Sequence, residues 1–321
     1  MTETRSDERE EAERMAEPSR VDPASQRQRT LRTAIGCVGI GRHSGARVAL
    51  TMLPAAAHHG IRFRRGDRPG TATIPARVAN VVDTELCTSL GLPGGPRVAA
   101  VEHIMAAFAA CAIDNVLVEV SGPEVPAMDG SAQPFAFLIE CAGVVEQAEI
   151  RPCIEVLKPV SARSAQGWAA LEPHTETIVD CRTEHGHPLV GAQQRVHRFS
   201  SDGFRGEIAG ARSFHFAESA DEAVAGNGAA KGGVTVADGR VVNDDGLRFR
   251  DEYVRHRILD VVGDLYLAGA PVQGRFVDRR ADHALTHQLL RTLLADAGAW
   301  RWVGGLAPVE TADSGRAAAR A

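Results

Sequence analysis

DEYVRHRILDVVGDLYLAGAP, residues 251–271, is the stretch from which the rest of the chain is best interpreted. Its apolar residues recur at steps of three and four, which is typical of a helix that is buried along one side. Asp251 and Glu252 suit the positive end of a helix dipole at its start, and Gly269 and Pro271 interrupt the pattern at its end. The stretch therefore predicts an amphipathic helix.

One face of this predicted helix carries three polar residues. His256, Asp260 and Asp264 follow one another at i, i+4 and i+8, so they lie along one stripe. A His and an Asp one turn apart can bind a divalent metal from a single rigid element, and Asp264 could orient a catalytic group or a ligand. A solvated polar stripe on a surface helix has the same spacing and, from these residues alone, is the more common case.

Length and composition indicate a globular protein of roughly two domains. The chain has 321 residues, of which 44% are hydrophobic and 24% charged. Its formal net charge of -5, without a basic cluster, gives no footprint for nucleic acid. No run approaches the roughly 18 apolar residues that span a bilayer, so no transmembrane segment is predicted.

Six cysteines are scattered without CxxC spacing, at positions 37, 87, 111, 141, 153 and 181. Most have apolar neighbours, which favours reduced, buried thiols in a cytoplasmic protein. A thiolate zinc site is therefore not expected, and any metal site has to use histidines and carboxylates.

Changes in the sequence pattern divide the chain into two α+β units of similar size, which suggests a pseudo-duplicated fold. Residues 1–28 are charged and nearly free of large apolar side chains, so we expect a disordered extension. The first domain, residues 29–149, is predicted to contain strands at 30–38, 46–53, 60–64 and 115–120 and helices at 97–110 and 134–141. The second domain, residues 150–307, is predicted to contain strands at 150–157, 168–171, 176–180 and 273–277 and helices at 201–209, 284–297 and within 251–271. Residues 308–321 are expected to form a flexible tail.

Further candidate site residues lie outside the helix of residues 251–271. Glu102 and His103 are adjacent in an Ala-rich helical pattern, where a buried charge needs a partner such as a metal. A core His with a capping Glu is an equally common explanation, and His283 and Ser213 are undistinguished alone. Two His and one Asp nevertheless form a ligand set for catalytic zinc with a fourth position left for water.

Several blocks of sequence resemble one family, the zinc-dependent UDP-3-O-acyl-N-acetylglucosamine deacetylases of lipid A biosynthesis. The blocks are GIGRHSGARV (39–48), NVVDTELCTSLG (80–91), VEHIMAAFAACAIDN (101–115), PAMDGSAQPF (126–135), GARSF (210–214), NDDGLRFRDEYVRHRILDVVGDLYL (243–267) and DHALTHQLLRTLLAD (282–296). They follow the family's order, and HRILDVVGDL is highly specific. The resemblance implies two α+β domains, each with two helices on a small sheet, facing each other across the active site.

The resemblance also implies roles for individual residues. His103, His256 and Asp260 match the zinc ligands, and Fe²⁺ could occupy the same set. Glu102 matches the general base, and His283 matches the catalytic His that acts as general acid or electrostatic stabiliser. Asp264 matches the partner of that His, and Ser213 falls where the family has a Thr that holds the polarised carbonyl oxygen.

Substrate contacts are expected from the same resemblance. It implies substrate-binding positions at Arg257, Phe214 and Cys87, a nucleotide-sugar substrate, and a monomer. The other histidines are expected on the surface or in loops, at positions 58, 59, 185, 187 and 287. His43 is the exception, because it lies in a family block.

Departures from the family pattern bear on the substrate. Arg257 stands for a usual Lys, Asp282 for a usual Gly, and Thr286 and Arg42 for a usual Asn and Leu. The insert at residues 214–243 is shortened, and its part at 217–231 carries no apolar side chain larger than Val224. Because an acyl chain gains roughly 0.8 kcal/mol per buried CH₂, we expect a short, absent or differently bound acyl group. The alternatives are therefore a deacetylase for a non-acylated or short-acyl N-acetyl sugar, and a non-catalytic relative that binds metal and a nucleotide sugar.

Overall fold

The computed structural model describes residues 26–217 and 232–305. Five α-helices occur in this part of the chain: α1 Glu102–Ala110, α2 Gln133–Ala142, α3 Ser201–Glu207, α4 Glu252–Tyr266 and α5 His283–Ala295. A short 3-10 helix spans Val78–Asn80. The helix predicted within residues 251–271 is confirmed as α4, and beyond its end Gly269 adopts the left-handed φ of 87° that favours glycine.

A five-stranded sheet lies in the first half of the chain. Its order is β2-β3-β9-β4-β5, formed by β2 Ile35–Ile40, β3 Arg47–Pro54, β9 Val116–Val120, β4 Ile61–Arg65 and β5 Ile74–Pro75. Strands β4 and β9 are parallel, and the other pairs are antiparallel. Apolar residues alternate along β3 and β9 and point into the core, and α2 packs near β2.

A seven-stranded sheet lies in the second half. It is formed by β11 Pro152–Val156, β12 Val160–Arg163, β13 Trp168–Glu172, β14 Thr177–His185, β15 Gly191–Arg198, β19 Val272–Arg279 and β20 Trp300–Gly304. The long strand β19 pairs antiparallel with β13 and parallel with β14 and β11. Helix α4 packs against β14 and β15, and α5 packs against β12 and β13.

Three smaller sheets complete the described fold. They are the pair β1 Arg27–Leu31 with β10 Val144–Ile150, the sheet β6 Val81–Asp83, β7 Ser89–Gly91 and β8 Arg97–Val98, and the sheet β16 Phe214–Phe216, β17 Val234–Ala237 and β18 Arg240–Val241. Strands β16 and β17 are parallel and flank residues 218–231, which lie outside the described residues.

Helices α1 and α4 approach each other closely enough to build one site. All residues of α1 except His103 are buried, which its many alanines permit. Gly263 of α4 lies against the backbone of α1, where an added Cβ would be 2.0 Å from the carbonyl oxygen of Glu102. The absence of a side chain at this position lets the two helices come together.

The α+β class is confirmed, and the division into two duplicated domains stays a prediction. Several predicted boundaries were wrong. The helix predicted from residue 97 begins at Glu102, because residues 97–98 form β8 and Ala100 has a φ of 57°. The predicted strand at residues 30–38 is divided between β1 and β2, and strands β10 and β15 were not predicted.

The predicted termini and insert are only partly described. Residues 27 and 28 were predicted to belong to the disordered extension, but β1 begins at Arg27 and Gln28 is buried. Residues 1–25, 218–231 and 306–321 lie outside the described residues, so most of the predicted extension, the central part of the insert and the predicted tail are not tested. Among the described residues, no helix combines the length and apolar character needed to cross a membrane.

Candidate metal centre and catalytic groups

His103, His256 and Asp260 converge from two helices. His103 is the second residue of α1, and the other two lie one turn apart on α4. Their candidate ligand atoms lie within 4.8 Å of one another. Both imidazole Nε2 atoms face Asp260 Oδ1, at 3.5 Å from His103 and 3.6 Å from His256. This is the group that the sequence predicted from separated segments.

The chemistry of these three side chains fits a divalent cation. Burial lowers the pKa of His256 to about 4, so its imidazole is neutral near pH 7. Its Nδ1 donates to the backbone carbonyl of Ala211 at 3.1 Å, which leaves the Nε2 lone pair free. Burial alone would raise the pKa of Asp260, but the imidazoles of His256 and His103 lower it to about 2.

One atom of the group lacks a partner. Asp260 Oδ1 is buried and has no hydrogen-bond donor among the described residues. A buried, ionised oxygen in that condition is costly, and a bound cation would satisfy it. Neutral imidazoles and a carboxylate are ligands that zinc takes. The residues present therefore fit the metal that the sequence suggested.

A His–Asp pair lies close to this group. His283, the first residue of α5, has its Nδ1 2.7 Å from Oδ2 of Asp264, one turn beyond Asp260 on α4. Burial would lower the pKa of His283, but the Asp264 carboxylate raises it to about 10, so the ring is cationic near neutral pH. Burial opposes ionisation of Asp264 too, yet His287 and His283 hold its pKa far below the usual range.

Glu102 begins α1 and is 5% exposed. Burial raises the pKa of its carboxyl, while His283 and His103 act in the opposite direction. Its Oε2 accepts a hydrogen bond of 3.0 Å from the backbone N–H of Thr88. A carboxylate held in this way and raised in pKa suits a proton acceptor.

Two residues of the site were missed from the sequence. The Thr88 hydroxyl donates to Oδ1 of Asp264 at 2.7 Å, so Thr88 contacts both carboxylates that flank the candidate metal group. His287 was predicted on the surface or in a loop, and that prediction was wrong, because its side chain is completely buried. Its Nε2 lies 2.9 Å from Thr88 Oγ1 and 3.3 Å from Asp264 Oδ1.

The donors and acceptors around His287 indicate which ring nitrogen carries a hydrogen. The Thr88 hydroxyl donates its single proton to the Asp264 carboxylate, so its oxygen must accept a hydrogen bond from His287 Nε2. The other ring nitrogen, Nδ1, is buried without a partner among the described residues. The contact with Thr88 therefore places a hydrogen on Nε2, whereas a hydrogen on Nδ1 would be an unsatisfied buried donor. The spacing of His283 and His287, one turn apart on α5, was the signal that could have identified this residue.

Ser213 and Phe214 line the same cavity as the groups above. The Ser213 hydroxyl accepts a hydrogen bond of 2.6 Å from Arg42 Nη1. Phe214 packs edge to face on Tyr253, with ring centroids 5.1 Å apart, and beside Phe216. These rings form an apolar wall that sequence reasoning had identified only at Phe214.

Arg257 and Cys87, the other two predicted substrate contacts, differ from Phe214. The guanidinium of Arg257 lies at the cavity, but its Nε donates to the fully buried Asp278 at 2.7 Å and its Nη2 to Thr286 at 2.7 Å. Arg257 therefore already has intramolecular partners. Cys87 is buried and is not among the described residues that line the cavity, whereas its neighbour Leu86 is.

The cysteine and histidine predictions have mixed outcomes. The cysteines are free thiols, and three are buried, but Cys141 is exposed. His185, which was expected on the surface or in a loop, is the last residue of β14, lines the cavity and stacks on Phe216 with centroids 4.1 Å apart. His43 also lines the cavity, as its position in a shared block had suggested.

The cavity that joins these groups has a volume of about 550 Å³, within the range of small-molecule sites. Its lining includes Glu102, the His103–His256–Asp260 group and His283, together with the aromatic wall. Fold and site thus define an α+β protein with a candidate metal-binding group beside a buried carboxylate and a His–Asp pair.

Comparison with known proteins identifies the family. The family model of UDP-3-O-acyl N-acetylglycosamine deacetylase (LpxC) matches residues 28–295. The chain is 41% identical over 282 residues to the UDP-3-O-acyl-N-acetylglucosamine deacetylase of Vibrio parahaemolyticus, covering 86% of this chain and 92% of that one. It is 44% identical over 284 residues to that of Acidithiobacillus ferrooxidans and 42% over 282 residues to that of Xanthomonas campestris, covering 86% of this chain and 93% of each relative. The chain belongs to the UDP-3-O-acyl N-acetylglycosamine deacetylase family, which confirms the resemblance found in the sequence.

Proposed function

We propose that this protein hydrolyses the N-acetyl amide of a UDP-activated, 3-O-acylated glucosamine and releases acetate. In this proposal His103, His256 and Asp260 hold Zn²⁺, and Fe²⁺ would accept the same ligands. The observation that carries it is the convergence of three ligand atoms within 4.8 Å of one another, including the partnerless Asp260 Oδ1. The substrate class is that of the similar proteins, which are UDP-3-O-acyl-N-acetylglucosamine deacetylases.

The bound metal would act as a Lewis acid that polarises the amide carbonyl and eases the ionisation of water. Glu102 accepts the proton of the attacking water, for which its raised pKa is suited. Ser213 donates a hydrogen bond to the carbonyl oxygen as negative charge develops there. Each of these groups lines the same cavity.

His283 completes the reaction as acid and electrostatic stabiliser. Asp264 accepts a hydrogen bond from His283 Nδ1 and keeps the ring cationic, so Nε2 carries a proton for the departing amine nitrogen. The same positive charge favours the negative charge that builds up during attack. A purely structural metal site would need neither Glu102 nor His283 beside the ligands, so their presence favours an enzyme over a non-catalytic relative.

The test measures acetate release from UDP-3-O-acyl-GlcNAc by metal-replete protein, with metal content determined on the same samples. Glu102→Ala and His283→Ala should each lower kcat by about 10²-fold or more, as expected for loss of an acid or base. Metal content should stay nearly intact in both. Variants that retain metal and turn over at the normal rate would contradict the assigned roles.

The acyl group is tested in the same assay with a series of substrates. The segment expected to bind it poorly lies almost entirely outside the described residues, whereas the described cavity offers an apolar wall at Phe214, Phe216 and Tyr253. We therefore propose that an acyl chain is bound, and kcat/KM for UDP-3-O-acyl-GlcNAc should exceed that for UDP-GlcNAc. Equal values would favour the non-acylated sugar as substrate.

A further inference from the structure

Arg42 lies on a loop, residues 41–46, whose backbone is held by the carboxylate of Glu124. The backbone N–H groups of His43 and Ser44 donate to Glu124 at 3.1 and 2.7 Å, and the Ser44 hydroxyl also donates to it. Glu124 is only 2% exposed. The loop is therefore held in place without help from the Arg42 side chain, whose guanidinium is free to serve another purpose.

The guanidinium of Arg42 donates hydrogen bonds to residues in and next to strands β16 and β17. Its Nη1 donates to Ser213 Oγ at 2.6 Å and to the carbonyl of Gly232 at 3.0 Å. Its Nη2 donates to the carbonyl of Phe214 at 3.2 Å. Because a guanidinium can only donate, Ser213 Oγ is the acceptor in this contact.

This contact restricts where the Ser213 proton can point. A hydroxyl has one proton and two lone pairs, and Arg42 occupies a lone pair. In the described part of the chain, the hydroxyl proton has no acceptor of its own. The Ser213 backbone is fixed on both sides, by its N–H to Gly130 at 2.8 Å and by Val234 N–H to its carbonyl at 2.7 Å. A carbonyl oxygen bound in the cavity that Ser213 lines would therefore be an available acceptor for this proton.

The charge of Arg42 strengthens this donor. A hydrogen bond from a cation polarises the hydroxyl that accepts it, and the polarised O–H then donates more strongly. Burial lowers the pKa of Arg42, and the carboxylates of Glu102 and Asp260 act in the opposite direction. An arginine guanidinium is not deprotonated in proteins, so Arg42 stays charged at neutral pH.

We propose that Arg42 is a positioning residue, which orients the Ser213 hydroxyl towards the carbonyl oxygen of the scissile amide. Arg42 itself does not contact the reacting atoms. The inference rests on the proposed function, because it assumes that Ser213 stabilises that oxygen. It predicts that Arg42 matters for turnover only while the Ser213 hydroxyl is present.

A double-mutant cycle tests this dependence. Arg42→Met, Ser213→Ala and the double variant are compared with the unmodified protein for acetate release from UDP-3-O-acyl-GlcNAc. We expect Ser213→Ala to lower kcat about 10²-fold, as loss of one oxyanion donor does, and Arg42→Met to lower it about 10-fold through misplacement of the donor. The double variant should match Ser213→Ala within about 2-fold, and KM should change by less than about 2-fold in each. Arg42→Lys should recover part of kcat, since it restores one charged donor.

A second readout does not depend on turnover. The unfolding equilibrium constant of the same four proteins is measured in urea without metal. The effect of the double variant on this constant should differ by about 10-fold from the product of the two single effects. Arg42→Lys keeps both readouts accessible if Arg42→Met does not fold. If the kcat of the double variant is lowered by the product of the two single effects, the inference is wrong. If Arg42→Met raises KM and leaves kcat unchanged, the inference is also wrong, because Arg42 would then contact the substrate directly.

The outcomes also separate this inference from the proposed function. Acetate release without coupling between Arg42 and Ser213 overturns only the positioning role. A Ser213→Ala variant with unchanged kcat overturns the positioning role and the Ser213 assignment, while leaving the hydrolysis. Absence of acetate release from the metal-replete, unmodified protein overturns the proposed function and the positioning role together.

Discussion

Replacing Gly263 with alanine should separate the two helices that carry the candidate metal ligands. An added Cβ would lie 2.0 Å from the carbonyl oxygen of Glu102, and distances below 3.0 Å essentially never occur for Cβ atoms. The shortfall is therefore about 1 Å, and both sides of the contact are helical backbone that cannot rotate away. Helix α1 must shift, and His103, which follows Glu102, must shift with it.

A displacement of that size is large for a metal site. Ligand distances are tolerated within about 0.2 Å, and His103 is the only candidate ligand that α1 contributes to the group. We expect metal affinity to fall by about 10- to 100-fold, the loss seen when ligand orientation is disturbed. Overpacking costs about 1–3 kcal/mol of unfolding free energy, offset in part by the better helix propensity of alanine, about 1 kcal/mol.

Competition with a chelating dye measures the affinity, and urea unfolding measures the stability. Gly206→Ala is the matched control, because Gly206 also lies in a helix, α3, and an added Cβ there meets nothing within 4 Å. The control should bind metal normally and be no less stable. If Gly263→Ala binds metal as tightly as the unmodified protein and unfolds at the same urea concentration, the packing argument is wrong.

Three further predictions concern the groups behind the cavity. Asp264→Asn removes the charge that raises the pKa of His283 to about 10. The His283 cation is present below that pKa and lost above it. The basic limb of the kcat/KM profile should therefore move to lower pH by about 2 pH units. An unmoved limb would exclude His283 as its source. Arg257→Met leaves Asp278 buried and unpaired and should cost about 3–5 kcal/mol in urea unfolding; normal stability with a raised KM would instead support a substrate contact. His287→Phe removes a donor from the buried Thr88–Asp264 network and should cost about 1–3 kcal/mol, which thermal unfolding would detect, and His287→Gln should be milder.

The sequence predicted best what is encoded locally. The apolar spacing of residues 251–271 identified α4, and the same spacing gave the shared stripe of His256, Asp260 and Asp264. The convergence of His103 with that stripe was predicted from chemistry and resemblance, because no periodicity relates residues on separate helices. Its realisation depends on the small residue at position 263, whose importance becomes visible only from the backbone contact.

The missed residues depend on contacts between distant segments. Thr88 lies in a loop, and its partner Asp264 is 176 positions away, so no local pattern marks it. Arg257 follows His256 in the chain, but successive helical residues point about 100° apart, and its side chain reaches the buried Asp278. Burial of a polar residue such as His287 is likewise decided by tertiary packing, which spacing alone does not report.

Thr88 also lies between an exposed residue that lines the cavity and two buried carboxylates. Leu86, two positions earlier, is 74% exposed at the rim, while the Thr88 amide and hydroxyl contact Glu102 and Asp264. A displacement of Thr88 would therefore disturb Glu102 and Asp264 together. In the proposed mechanism, the base and the partner of the acid thus share one support, so a single substitution at Thr88 should affect both.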